Sequence, residues 1–299
     1  MEEIYIVDRL SKKKEKEKIY GYFLLSFLYR SNVISKFFLS CIAKYPFFSR
    51  LFAFFQKSKR SRKKILPFIR EYHIDEEEFE KKLSQFDSFE DFFVRKLKRE
   101  KRPYEEGDNV AMLPADARYL VFPDISIADG FYVKGQKFNL FSFLKKESLA
   151  EIYQNGSMVI GRLNPADYHR FHLPFDCTPS VSKLINGYYY SVNPIALKKN
   201  LQILCENKRY LSILDSEKFG KVLFIEIGAT NVASVFQTYT PRDFCKKGLE
   251  KGYFSFGASC VVMLFEKGKI IFDQDLIDNS NNKIETKALF GQSLGRSIY

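Results

Sequence analysis

Three segments hold residues that could do chemistry together, although they lie far apart in the chain. Ser259 stands in "FGASC", where the small tripeptide Gly257-Ala258-Ser259 is set directly against the strand-forming run "CVVMLF". His169 and His172 lie in "RLNPADYHRFHLPFD" and are two of only three histidines. Asp116 sits in "LPADARYL", just ahead of another strand-like run. A serine, a histidine and an aspartate from separate segments are the ingredients of a nucleophile, its base and the carboxylate that orients the base. The joint at residues 257–259 reads either as a turn into a strand or as a place where the backbone is itself the reactant.

The two histidines have a spacing that would suit a metal pair on a helix. No third His or Cys follows at ligand spacing, however, and Pro165 and Pro174 bracket the segment. Proton transfer is therefore the better reading of the pair. Glu226, in the apolar "FIEIGATNVASV", is either an outward residue on a half-exposed strand or a buried, partnered carboxylate. His73 sits in a polar stretch that suggests no role. The serine lacks the G-x-S-x-G elbow of many hydrolases and precedes a strand rather than a helix.

These residues need elements to hold them. After Pro103 the chain becomes a series of short β-rich runs separated by Gly, Asn, Asp and Pro: "RYLVF", "SMVIGRL", "GYYYSV", "KVLFIEIGA", "NVASVFQTY", "CVVMLF" and "KIIF". Glu266-Lys267-Gly268-Lys269 reads as the turn of a hairpin. Two polar helices are expected before this body: one after Asp75 in "DEEEFEKKL", and one in "SFEDFFVRKL" that opens with a capping-box-like Ser88 and Asp91. The fold class is α+β, with a mostly antiparallel β catalytic body. Residues 1–103 form an N-terminal helical region and residues 104–299 the body.

The 299-residue chain carries a net charge of +12, and the excess is local. Residues 9–70 hold seventeen Lys and Arg against two acids, Glu15 and Glu17. The same region is rich in Phe, Leu and Tyr, interleaved with Arg30, Lys36, Lys44 and Arg50. Its longest charge-free run, Ile19 to Tyr29, is about half the roughly 20 residues a spanning helix needs. Three short amphipathic helices are expected, with breaks near Ser31-Asn32 and at Pro46. Such helices lie in a membrane interface, apolar side chains inward and cations toward lipid phosphates. No RNA- or DNA-reading motif occurs, so nucleic acid is not an expected partner. The five cysteines form no CxxC pair and are expected as reduced thiols, and the polar residues 1–18 do not read as a signal peptide.

Taken in order, the segments resemble the phosphatidylserine decarboxylase family over nearly the whole chain. "SFEDFFVRKLKREKRP", "LPADARYLVF", "NPADYHRFHLP", "INGYYYSVNPIAL", "ENKR" and "EIGATNVASV" follow in family order. "KGYFSFGASCVVMLFEKGK" occupies the place of the processing motif, normally Gly-Ser-Thr or a close variant. Ala258 and Cys260 depart from that pattern. An Ala at a left-handed position would cost roughly 1–2 kcal/mol.

The resemblance implies a self-processing enzyme. Asp116 would orient His172, which would take the proton of Ser259. The Ser259 oxygen would attack the carbonyl of Ala258, and elimination would leave chains 1–258 and 259–299, the second capped by a pyruvoyl group made from Ser259. That covalent group would form a Schiff base with phosphatidylserine and accept electrons as CO2 leaves, giving phosphatidylethanolamine. His169 or His172 would return the proton. No metal or external cofactor is implied. The expected partners are the phospholipid, an anionic membrane surface on the cytoplasmic face of the cell membrane, and the chain's own second fragment, with homodimerisation open. The alternatives are a serine hydrolase using Ser259, His172 and Asp116, and a homologue that only binds membrane.

Overall fold

The computed structural model describes residues 3–29, 32–127, 139–228, 235–257 and 259–298. Its centre is a ten-stranded sheet. In spatial order the strands are β2 (Lys14–Lys16), β1 (Tyr5–Asp8), β15 (Glu285–Ala288), β4 (Ala117–Phe122), β5 (Ser157–Leu163), β13 (Ser259–Phe265), β10 (Gly220–Gly228), β9 (Arg209–Ser216) and β7 (Thr178–Pro179), with β8 (Lys183–Ile185) also on β9. Every pairing is antiparallel except β1 with β15. A small sheet joins β11 (Val235–Gln237), β12 (Glu250–Phe254) and β6 (Arg170–His172). Another joins β14 (Ile271–Phe272), β16 (Ser293–Arg296) and β3 (Val110–Met112). The class is α+β.

Alternation along the central strands builds two cores, one on each face of the large sheet. Leu223, Ile225, Ile227, Cys260, Val262 and Leu264 face one core. Val222, Phe224, Val261, Met263 and Phe265 face the other, where Phe171 and Phe254 of the small sheet pack. Glu226 lies on this second face, fully buried and ion-paired to the buried Lys251. Of its two readings, the buried, partnered carboxylate is the one observed.

The N-terminal helices are α1 (Tyr22–Leu28), α2 (Val33–Lys44) and α3 (Pro46–Lys57), broken where expected. Asn32 caps α2 by accepting the Ser35 amide at 2.7 Å, and Pro46 opens α3, where its missing N–H costs nothing. Next comes α4 (Ile65–Tyr72), then α5 (Phe89–Phe93). The body adds α6 (Leu140–Leu144), α7 (Glu147–Tyr153), α8 (Pro194–Leu197), α9 (Ile203–Glu206) and α10 (Gln274–Asn281). Among the described residues no helix is long and apolar enough to cross a membrane.

Several local expectations are corrected. The stretch after Asp75 forms only a 3-10 turn, Glu76–Glu78, because Phe79 is drawn into a buried aromatic cluster and Glu78 pairs with Arg102. Ser88 does cap α5 by accepting the Asp91 amide at 3.2 Å, but the helix is five residues long and buries Phe89, Phe92 and Phe93. Residues 266–269 do turn, with the Lys269 amide donating to the Glu266 carbonyl at 3.3 Å. No hairpin follows, since β13 already has β5 and β10 on its two sides; β14 pairs with β16 instead. "GYYYSV" forms no strand, only a bridge from Tyr188 to Asn207. Residues 5–16, read as polar, supply the hairpin β1–β2 at the sheet edge, with Ile6 buried.

Candidate active site

Ser259 is the first residue of β13 and is held from both sides. It is the register partner of Leu163 on β5 and of Gly228 on β10. The run from Val261 to Phe265 makes this a central strand because its alternate residues fill both cores. The chain enters through Gly257, whose φ of 147° favours glycine over residues with a Cβ. Ala258 lies outside the described residues. The Ser259 hydroxyl is fully buried and has no hydrogen-bond partner among the described residues. Ahead of it, Glu90 accepts the Phe256 amide at 3.1 Å, and the Phe256 ring packs edge-on against Phe93 and Phe89.

The two histidines lie at the two ends of β6 rather than on a helix: His169 immediately precedes the strand and His172 is its last residue. The His169 ring stacks on Phe93 with centroids 3.9 Å apart, and its Nε2 donates to the Asn164 carbonyl at 3.0 Å. A carbonyl can only accept, so the proton is on Nε2 and the lone pair on Nδ1. That Nδ1 is buried without a partner among the described residues. Asn164 directly follows Leu163, so the group that orients His169 is one residue beyond the partner of Ser259.

His172 is oriented the opposite way. Its Nδ1 donates to the Gly248 carbonyl at 3.1 Å, and its Nε2 accepts the Tyr168 hydroxyl at 3.2 Å. The ring stacks on Phe290 at 3.8 Å and opens on a cavity of about 580 Å³ shared with Tyr168 and Arg102. Burial pushes both imidazoles down. His169 falls to about 3, helped by the charge of Arg95. His172 falls to about 4, with the Gly248 carbonyl, Glu250 and Asp116 opposing the shift. Both are therefore neutral at physiological pH, the state in which an imidazole can take a proton.

Asp116 is buried and ion-paired to Arg102 at 2.8 Å, which also binds Glu78. Its carboxylate accepts the Phe290 amide at 2.8 Å. Among the described residues it makes no hydrogen bond to His172. It reaches that ring through Phe290, whose backbone it holds and whose side chain stacks on the imidazole. The structure thus joins Asp116 to His172 indirectly and brings His169 to the strand that pairs with Ser259. No hydrogen bond among the described residues links Ser259 to either histidine.

Beside the joint lies a cavity of about 320 Å³ with an amphipathic lining. Leu24, Leu28 and Leu39 of α1 and α2 form its apolar walls, while Glu17, Arg162 and Asn164 supply polar groups next to Gly257. A second cavity of about 440 Å³, lined by Asp116, Arg118 and Tyr168, shares Glu17 and Asn164 with it. Among the described residues no group of three or more His, Cys, Asp or Glu side chains could hold a metal ion. Several site residues escaped the sequence reading: Glu17, Glu90, Arg102, Asn164, Tyr168 and Phe290. Tyr168 and Asn164 were within the quoted histidine segment, and that proximity was the one signal available. The others come from remote elements.

The family model described as phosphatidylserine decarboxylase matches residues 89–296. The phosphatidylserine decarboxylase proenzyme of Chlamydia pneumoniae is 45% identical over 298 residues, covering 99% of this chain and 98% of that protein. The proenzyme of Chlamydia felis is 45% identical over 298 residues, covering 100% and 99%. The proenzyme of Fusobacterium nucleatum is 42% identical over 294 residues, covering 98% of each. A match of this length, spanning the joint and both histidines, means that the chain belongs to the phosphatidylserine decarboxylase family.

Proposed function

We propose that this protein converts phosphatidylserine to phosphatidylethanolamine and CO2 after cutting its own chain between Ala258 and Ser259. The observation that carries the proposal is the buried Ser259 hydroxyl, without a hydrogen-bond partner among the described residues, at the head of a central strand entered through the positive-φ Gly257. A hydroxyl buried without a partner is costly unless it is used. In the cut, the Ser259 oxygen attacks the Ala258 carbonyl and the amide becomes an ester. Loss of the Ser259 α-proton then releases the Ala258 carboxylate and leaves a dehydroalanine, which tautomerises to an imine; water hydrolyses the imine, releasing ammonia and leaving a pyruvoyl group on residue 259. The joint fits that group, since residue 259 heads a strand beside an amphipathic cavity. The pyruvoyl group supplies the electron sink for decarboxylation.

The rest falls to the chain's own residues. His172 accepts the Ser259 proton during processing, with Asp116 positioning it through Phe290. His169 holds the proton that returns to the α-carbon. The cavity walls from α1 and α2 take the apolar part of a lipid, and the exposed apolar side chains of α1–α3, with the cations of α2 and α3, lie on an anionic membrane as a peripheral contact.

The test is a denaturing mass measurement of purified protein together with an assay of CO2 release from phosphatidylserine. Two chains, 1–258 and 259–299, are expected, and Ser259→Ala should stay whole and inactive. His169→Ala should still cut itself but turn over poorly. A Ser259→Ala protein that cleaves at the same bond would overturn the processing mechanism.

A further inference from the structure

One of the two acids in the basic N-terminal region is not on its surface. The Glu17 side chain is 1% exposed and sits in the short strap between β2 and α1. One oxygen receives Arg162 Nη2 at 2.6 Å; the other lies 2.9 Å from Arg118 Nε and accepts Asn164 Nδ2 at 3.2 Å. Arg162 is the register partner of Cys260, the residue after the reacting serine. The Glu17 carboxyl is held low: burial alone would raise it, but Arg162 and Arg118 outweigh burial.

Asn164 is the hub of this arrangement. Its amide nitrogen Nδ2 also donates to the Lys18 carbonyl at 3.2 Å, its Oδ1 accepts the Ala166 amide, and its backbone N–H donates to Asp167. The side chain is thereby locked, and so is the carbonyl that takes the His169 Nε2 proton. The same strap places Tyr20 edge-on against Phe256, with centroids 6.2 Å apart, two residues ahead of Ala258. A buried ion cluster adds little net stability over apolar packing of the same volume. What it does supply is geometry, because each partner has one place to be.

We propose that Glu17 is a positioning residue for the reaction at residue 259, acting through Asn164 on the orientation of His169. The N-terminal region is then part of the active site as well as its membrane contact, since α1 begins only five residues later at Tyr22. This inference rests on the decarboxylase reading for its turnover measurement.

The experiment uses the full chain with Glu17→Gln, Asn164→Asp and the two combined. In the combined variant a glutamine amide faces an aspartate, so the hydrogen bond and the net charge of the cluster are restored with roles reversed. Self-cleavage, thermal unfolding, anionic-vesicle binding, and kcat and KM on phosphatidylserine in mixed micelles are measured together. Each single variant should lose about 100-fold in kcat, the effect of a displaced reacting group, with KM and vesicle binding unchanged. The exchanged pair should recover most of the loss. Wild-type kcat in the single variants, a loss confined to KM and vesicle binding, or an exchanged pair that is inactive or insoluble would each overturn the proposal. A wild type that cleaves itself but releases no CO2 would fail the decarboxylase reading, and this proposal with it.

Discussion

Two phenylalanine-rich stretches, residues 22–57 and 65–93, follow one another in the chain and end up on opposite sides of the water boundary. In the first, Phe23 is 88% exposed and Phe54 69%, with Val33, Ile34, Phe37 and Phe47 also open. In the second, Phe92 and Phe93 are fully buried and Phe68, Phe79, Phe86 and Phe89 nearly so. Hydrophobicity alone does not separate them. Residues 22–57 carry cations and no acid, and their helices expose a broad apolar face. Residues 65–93 contain acids that find partners, as Glu78 does with Arg102 and Glu90 with the Phe256 amide. Their rings form an edge-to-face network that ends on the joint and on His169. One set of phenylalanines builds the wall of the site. The other set, left uncovered beside lysines and arginines, has the composition of a surface that meets lipid.

That contrast can be broken in order of expected effect. Phe92→Ala opens a hole in the buried network and should cost about 3–5 kcal/mol in denaturant unfolding, with little direct effect on vesicle binding by the folded protein. Replacing Phe23, Phe37 and Phe54 together by alanine should do the reverse. Unfolding should move by no more than about 0.5 kcal/mol per site, while affinity for anionic vesicles falls at least ~10-fold, or ~1.4 kcal/mol. If the triple variant unfolds early, those rings are covered in solution and the comparison fails.

A third measurement separates the regions by pH. His169 and His172 are buried neutral, at about 3 and about 4, against about 6.5 in an unfolded chain. Below pH 6.5 the unfolded state binds protons that the folded state does not, so stability is fully present above that pH and is lost as pH falls toward 4. Moving from pH 7 to 5.5 should cost about 2–3 kcal/mol and lower Tm. Vesicle binding should stay level over that interval, because residues 22–57 contain no histidine and no acid. The smallest effect is that of salt. Between 0.15 and 1 M the Debye length drops from about 8 to 3 Å, so vesicle binding should weaken without vanishing while the unfolding curve hardly moves. Binding abolished by salt would mean that the exposed phenylalanines do not insert.

Much of this could be read from the residues themselves. Asn32 and Pro46 mark helix starts because capping is local, and both boundaries occur where they stand. Ser259 and the histidine pair stood out because their chemistry requires those residue types, and their segments carry the family resemblance. Glu17 was invisible for the opposite reason. In "KKKEKEK" it looks like one more member of a solvated charge run, and nothing within reach of a local rule says that Arg118, Arg162 and Asn164 will close around it.

The sequence by itself determined the residue types of the reaction, the basic and apolar character of the N-terminal region, and the runs that become strands, since these follow from composition and short-range periodicity. Tertiary structure alone decided which partner each group meets. It set Asp116 on Arg102 and on the Phe290 amide rather than on His172, and it denied β14 a place beside β13. It also turned the two histidines toward different neighbours. Those outcomes depend on contacts between residues tens to hundreds of positions apart, where the free energy of a site is set by what packs and pairs around it.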